Sequence, residues 1–193
     1  MDAINRKISE GKMIHEHQEI FDSERKNIIT AGRLVPQKDQ ETLIKAFAQV
    51  NKQIESRLII LGEGPLEHKL KNLAKTLRVS EYVHFIGFQQ NPYLYFNAAD
   101  LFVLTSKFEG FAHVLAESLA VGTPVISTNC KSGPSEVLSN GKYGRLIELG
   151  DMEGLVSNII EILKLPNSEV CDIMNKGYER AKFFNVNDIV LQY

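Results

Sequence analysis

Ser106-Lys-Phe-Glu-Gly-Phe-Ala-His-Val-Leu-Ala-Glu-Ser-Leu-Ala-Val-Gly-Thr-Pro-Val-Ile126 is the stretch that decides the fold. The apolar run just before it, Leu101-Phe-Val-Leu104, reads as a buried strand. Glu109 and Gly110 make a turn, a helix starts near Ala112 and carries Glu117, and Gly122-Thr-Pro124 ends it. The next strand follows at once, from Val125 to Ser127. Strand, glycine turn and helix start aim several backbone N–H groups at one spot, and the helix dipole makes that spot favour an anion. Two carboxylates flank it, so a ligand carrying both phosphate and hydroxyl groups fits.

The same alternation extends in both directions. Short apolar runs fall at Ile28–Thr30, Arg57–Leu61, Val83–Ile86 and Gly144–Ile147. Between them lie segments with helical spacing: Leu43, Ile44, Phe47 and Val50 after Asp39, and Leu66, Leu70, Leu73 and Leu77 after Pro65. Pro92 opens a short helix, Pro134 to Leu138 another, and Asp151 caps one carrying Leu155, Ile159, Ile162 and Leu163. Ser168 caps a further helix, and a last one starts at Asn185. Strands alternating with helices predict an α/β fold: a Rossmann-like, doubly wound parallel sheet of about six strands with flanking helices. In such a sheet ligands bind beyond the C-terminal ends of the strands. The loops Gly32–Gln37, Gly62–Pro65, Gly87–Asn91, Thr105–Phe111 and Thr128–Gly133 should therefore converge.

Residues 1–26 are polar, with little apolar periodicity. They read as a linker with some helix, outside the core, entering from an N-terminal domain that the chain does not contain, and residues 27–193 as the folded domain. The 193 residues suffice for one domain with a real core. A net charge of −2 implies neither a nucleic-acid partner nor an anionic membrane surface. No apolar run reaches the roughly 18 residues that cross a bilayer, and no signal-peptide pattern opens the chain. Cys130 and Cys171 lack C-x-x-C spacing, which points to a reducing, cytoplasmic setting. His15 and His17 are spaced like strand ligands to a metal, but in this polar leader they read as solvated.

Among candidate site residues, Arg33 and Lys38 leave the mouth of the sheet in the first loop, where two cations with helix-end amides suit a diphosphate. Solvated loop cations fit the same pattern. Glu109 and Glu117 stand eight positions apart, about 12 Å along an ideal helix. That does not suit the carboxylate pair of a retaining glycosidase, held about 5 Å apart. Spacing leaves open whether they are surface carboxylates or two separate acceptors for hydroxyls. Gly62-Glu-Gly64 lacks the third glycine of a dinucleotide fingerprint, with Glu67 in its slot. Ser106, Ser118 and Ser135 lack the G-x-S-x-G setting of an acyl-transfer nucleophile.

Thr105 to Ile126, with Glu109 and Glu117, resembles the E-x7-E signature of family 4 retaining glycosyltransferases, which have the two-domain GT-B architecture. Ala31-Gly-Arg-Leu with Lys38-Asp39, Leu61-Gly-Glu-Gly-Pro65, Phe85-Ile-Gly87, Ala98-Ala-Asp100 and Ser132-Gly-Pro-Ser-Glu136 match in the same order. The resemblance runs from about Asn27 to Tyr193 and covers the family's C-terminal, donor-binding domain.

It implies that Gly32, Arg33 and Lys38 clamp the donor diphosphate and that Glu109 holds the donor sugar's hydroxyls. Glu117 would hold the ribose, and the amides of Gly110, Phe111, Ala112 and His113 would meet phosphate. Gly87, Phe88 and Gln89 would lie near the base. Glu109, Arg33 and Lys38 would act in catalysis. The family often has Gly-Phe-Gly where this chain has Gly110-Phe-Ala112, a methyl expected to be tolerated if φ there is helical. The His113 ring either donates to phosphate or caps and packs the helix.

No D-x-D triplet occurs, so metal-independent donor binding is expected, with no cofactor beyond the donor itself. The resemblance implies transfer from a nucleotide sugar, UDP-linked by family preference, to a glycan or lipid-linked acceptor in lipopolysaccharide or capsule synthesis. This would take place in the cytoplasm, at the inner membrane face in a full-length protein. Residues 168–193 would brace the N-terminal domain. A phosphorylase or synthase of the same architecture, or a non-catalytic nucleotide-binding module, are the alternatives.

Overall fold

The computed structural model describes residues 2–11, 13, 15–21 and 24–184. Among them, six parallel strands form one sheet: β1 (Lys26–Ala31), β2 (Ser56–Leu61), β3 (Val83–Gly87), β4 (Leu101–Leu104), β5 (Val125–Thr128) and β6 (Arg145–Ile147). Their spatial order is β3-β2-β1-β4-β5-β6. From β1 the chain first winds outward through β2 and β3, then returns to lay β4 on the other side of β1. The winding direction reverses there, so the loops leaving β1 and β4 part and open a crevice.

The strands read as continuous apolar runs because both sheet faces are covered. Alternate residues serve opposite layers. Ile28, Leu58, Ile60, Leu101 and Val103 pack on α3 (Gln40–Val50), α4 (Glu67–Thr76) and α8 (Met152–Leu163). Ile29, Ile59, Leu61, Phe102 and Leu104 pack on α5 (Tyr93–Asn97), α6 (His113–Ala120) and α9 (Asn167–Ala181). Each large apolar side chain so buried contributes roughly 1.5–3 kcal/mol. In the second layer the Phe96 and Phe102 rings meet edge to face, 5.2 Å between centroids. A short α7 (Pro134–Val137) follows β5.

Several expectations change. The polar leader carries helix as expected, in α1 (Asp2–Glu10) and α2 (His15–Phe21), but it is not outside the core: Ile4 is fully buried in the second layer. Ile4 and Ile8 sit one helical turn apart, and so few apolar residues gave little periodicity to read. Asn91 Nδ2 donates to the Lys7 carbonyl at 2.7 Å, and Arg57 Nη1 donates to the Ile20 carbonyl, fastening the segment at both ends. Asp39 does precede α3, but at φ 48° it caps no backbone N–H; its carboxylate accepts instead from Thr42 Oγ1 at 2.9 Å. Asp151 does cap α8, accepting from the Gly154 amide at 2.8 Å. Ser168 is inside α9, whose N-cap is Pro166. The helix expected from Asn185 lies outside the described residues.

Candidate active site

The β1–α3, β4–α6 and β5–α7 loops are tied to one another at the C-terminal edge of the sheet. Thr105 Oγ1 donates to the carbonyls of Lys38 and Asp39, the Lys107 amide donates to the Gln37 carbonyl at 2.8 Å, and Gln37 Nε2 donates to Phe108 O at 2.8 Å. Thr128 Oγ1 donates to Ser106 O at 2.6 Å. The β2–α4 loop presses on the first from the other side. Gly62 stands at φ +121°, and a Cβ there would collide with the Gly32 carbonyl. Glycine at this turn is what lets two site loops touch.

These loops hold Lys38 against Glu109. Lys38 Nζ donates to Glu109 Oε1 at 2.6 Å, and Ser106 Oγ donates to the same oxygen at 2.6 Å. The Glu109 side chain is 8% exposed, and its Oε2 has no hydrogen-bond partner among the described residues. One oxygen therefore anchors the carboxylate, and the other stays available as an acceptor. The Lys38 stem passes beside Gly32, where a Cβ would sit 3.2 Å from its Cε.

Beside this pair lies a cleft of ≈ 360 Å³, bordered by Gly32, Arg33, Glu63, Phe88, Gln89 and Glu117, among others. Arg33 is exposed, and its guanidinium has no hydrogen bond or ion pair among the described residues. Its carbonyl is held by Gln40 Nε2 at 3.0 Å, which fixes the loop while leaving the side chain unengaged. Phe88 is 62% exposed, a large apolar face open to solvent at the cleft edge. Its amide donates to Glu63 Oε1 at 3.4 Å. Glu117 closes the back, 1% exposed, and accepts a long hydrogen bond of 3.5 Å from the Tyr93 hydroxyl. Burial pushes its pKa up to about 7, against smaller opposing effects from the Tyr93 hydroxyl and the Lys7 charge.

The structure thus brings Gly32, Arg33, Phe88, Gln89 and Glu117 to one cleft. Lys38 and Glu109 form a separate pair beside it, and Gly110, Phe111, Ala112 and His113 lead into α6, whose Val114 and Glu117 border the cleft. Ala112, the N-cap of α6, has φ 60° and ψ 53°. The condition under which its methyl would cost nothing is not met. A left-handed alanine is strained by about 1–2 kcal/mol, which explains why glycine would sit more easily there. No side chain caps this end of α6; the Leu115 amide donates to the Ala112 carbonyl at 2.9 Å, and the amides of Phe111, Ala112 and His113 have no partner among the described residues. The His113 ring is exposed and lies 5.0 Å from that of Phe111, which packs in turn on Phe184. Glu63 and Tyr93 were missed as site residues: Glu63 was visible only as part of a turn, and Tyr93 only as a helix-core aromatic. Among the described residues no three His, Cys, Asp or Glu side chains gather as a metal site would need. None of the helices there is long and apolar enough to cross a membrane.

A six-stranded parallel sheet with a cleft at its switch point defines a class: the doubly wound α/β domains. Residues 12–180 match the family described as Glycosyl transferases group 1, and the chain belongs to that family. Over 160 residues it is 36% identical to the N-acetylgalactosamine-N,N'-diacetylbacillosaminyl-diphospho-undecaprenol 4-alpha-N-acetylgalactosaminyltransferase of Campylobacter jejuni, covering 83% of this chain and 43% of that one. An uncharacterized glycosyltransferase of Methanocaldococcus jannaschii is 32% identical, with 86% and 48% covered. The chain spans less than half the length of these relatives. Among solved structures, Anabaena HepE, crystallised with UDP and glucose, superposes with a TM-score of 0.80 at 24% identity, covering 92% of this chain and 48% of that one. A Rickettsia africae glycosyltransferase gives 0.82 at 17% identity, covering 98% and 52%. At such identities these two share the fold.

Proposed function

We propose that this domain binds the nucleotide-sugar donor of a retaining glycosyltransferase and presents it to a glycan or lipid-linked acceptor in surface polysaccharide synthesis. One observation carries the reading. At the switch point an unpartnered Arg33, the uncapped start of α6 and buried Glu117 share one cleft, with the Lys38–Glu109 pair beside it. The chemistry follows from what each group can do. Arg33 and the amides of Phe111, Ala112 and His113 supply fixed positive ends for a diphosphate. Phe88 offers its ring to a base, and Glu117 accepts from ribose hydroxyls. Glu109, anchored through Oε1, accepts from donor-sugar hydroxyls through Oε2.

When the bond between sugar and phosphate breaks, negative charge grows on the departing diphosphate. Donors already in place stabilise that charge without reorganising. Lys38 fits this role because its charge is balanced by Glu109 until a second anion arrives to share it. No metal is needed for any of these contacts. UDP is the favoured nucleotide, in keeping with the UDP complex of the Anabaena neighbour. The acceptor name of the Campylobacter relative supports a lipid-linked diphosphate acceptor, handled at the cytoplasmic membrane face. The acceptor site belongs to a further domain, as the greater length of the relatives suggests.

Isothermal titration with UDP-glucose, in the presence and absence of EDTA, tests the donor site. Equal affinity in both conditions is expected. Affinity that disappears on chelation would overturn the metal-independent arrangement.

A further inference from the structure

The turn that leads into α6 is strained at Ala112, and the amides of Phe111, Ala112 and His113 have no partner among the described residues. Those amides do not hold the turn in shape, so packing must. On one side the turn is blocked. A Cβ on Gly133, in the β5–α7 loop, would sit 2.7 Å from the Gly110 carbonyl oxygen and 3.2 Å from the Phe111 carbonyl carbon. The other side is open, since a Cβ on Gly110 would meet nothing within 4 Å. The turn has room to relax there unless a side chain keeps it down.

Phe111 supplies that side chain. Its ring lies 5.3 Å from the ring of Phe184, edge to face at 75°. Phe184 follows α9 by three residues and is backed by Arg180, whose guanidinium stands 4.6 Å from the centre of the Phe184 ring. Arg180 is fixed in turn: Nε donates to the Val137 carbonyl at 2.8 Å and Nη2 to the Glu136 carbonyl at 2.6 Å, at the end of α7. A stack thus runs from α7 through Arg180 and Phe184 to Phe111. The Ala112 methyl is buried in the second layer too, but one methyl covers far less apolar surface than a phenyl ring.

Ordinary core packing would account for two rings in contact. It does not account for where the contact falls. Phe111 directly precedes the strained alanine, and its amide is one of the three assigned to phosphate above. An edge-to-face aromatic pair contributes about as much as a left-handed alanine costs, so removing one ring is enough to release the turn.

We infer that Phe184, acting through Phe111, is a positioning residue for the diphosphate: it holds the turn before α6 in its left-handed form and so keeps the three amides together. The inference rests on the nucleotide-sugar reading above and adds the group that maintains its phosphate site. It makes the end of α9 part of that site, although the residues bordering the cleft include none from α9.

Titration of the 193-residue chain with UDP and with inorganic pyrophosphate tests it, on the native protein, Phe184→Ala, Ala112→Gly, the double variant and Phe183→Ala. Phe184→Ala is expected to weaken both ligands by about five- to thirtyfold, the scale of one left-handed alanine's strain. Glycine takes up a φ near 60° without that strain, so Ala112→Gly makes the ring dispensable. The double variant should therefore bind both ligands within about threefold of Ala112→Gly alone. Phe183 is 75% exposed and lies over Arg180, so Phe183→Ala should bind like the native chain. A ring with a merely structural role would lower the melting temperature of Phe184→Ala and show no such rescue. If Phe184→Ala does not unfold cooperatively, Phe184→Leu takes its place with the same expectations. Undiminished pyrophosphate affinity in Phe184→Ala, or a loss that Ala112→Gly does not relieve, overturns the clamp and leaves the nucleotide site standing. A native chain that binds neither ligand removes the site itself, and the clamp with it.

Discussion

Replacing Glu117 with glutamine is expected to stabilise the protein by about 3 kcal/mol above pH 8 while weakening its hold on a nucleotide sugar. Glu117 is buried behind the cleft, and the Tyr93 hydroxyl at 3.5 Å does little for its charge. Desolvation therefore dominates and lifts its pKa from the ordinary 4.5 to about 7. The sign of the linkage is set by which state holds the proton. Between those two values the folded protein keeps a proton that the unfolded chain has released, so stability falls as pH rises through the window. Below it, the carboxyl is protonated in both states and this loss is absent. Glutamine cannot ionise, so the variant should lack this slope. Urea denaturation at pH 5 and pH 8.5 measures it: the native protein should lose about 2.5 kcal/mol more than the variant. Equal losses would show that Glu117 ionises freely. A carboxylate kept at this cost suits a ligand whose hydroxyls donate to its charged form. UDP-glucose affinity should accordingly rise with pH through about 7, with protons released on binding below it.

Arg33→Ala is expected to lower UDP affinity by roughly ten- to a hundredfold, the loss of one charge-assisted contact of about 1.5–3 kcal/mol. Its melting temperature should barely move, because the guanidinium is exposed and engages nothing among the described residues. Lys38→Ala cannot give so clear a result. It would also leave Glu109, 8% exposed, without its cation, so a lower affinity there would mix lost contact with lost structure. Unaltered UDP affinity in Arg33→Ala would mean that the diphosphate lies elsewhere.

The contrast between those two cations shows what sequence could and could not reveal. The sheet was legible because strands covered on both faces must be apolar throughout, as Ile28-Ile29 and Leu101-Phe-Val-Leu104 are. The convergence of loops followed from that topology, and with it the meeting of Arg33, Phe88, Gln89 and Glu117. Backbone conformation at single residues did not follow. Nothing in Ala112 or Asp39 announces a left-handed φ, since both types favour the right-handed region and are held out of it by neighbouring loops. Long-range side-chain pairing was equally hidden. Lys38 and Glu109 are 71 positions apart, and His17 and Tyr95 are 78 apart. The leader misled for a related reason: two apolar residues on one turn, Ile4 and Ile8, are enough to dock a helix but too few to make a pattern.

A crystal structure of the chain with UDP bound tests the central claim most directly. The diphosphate is expected within hydrogen-bonding distance of Arg33 and the first amides of α6, with the ribose on Glu117 and no metal between. UDP seated away from Arg33, Lys38 and Glu117 would contradict it.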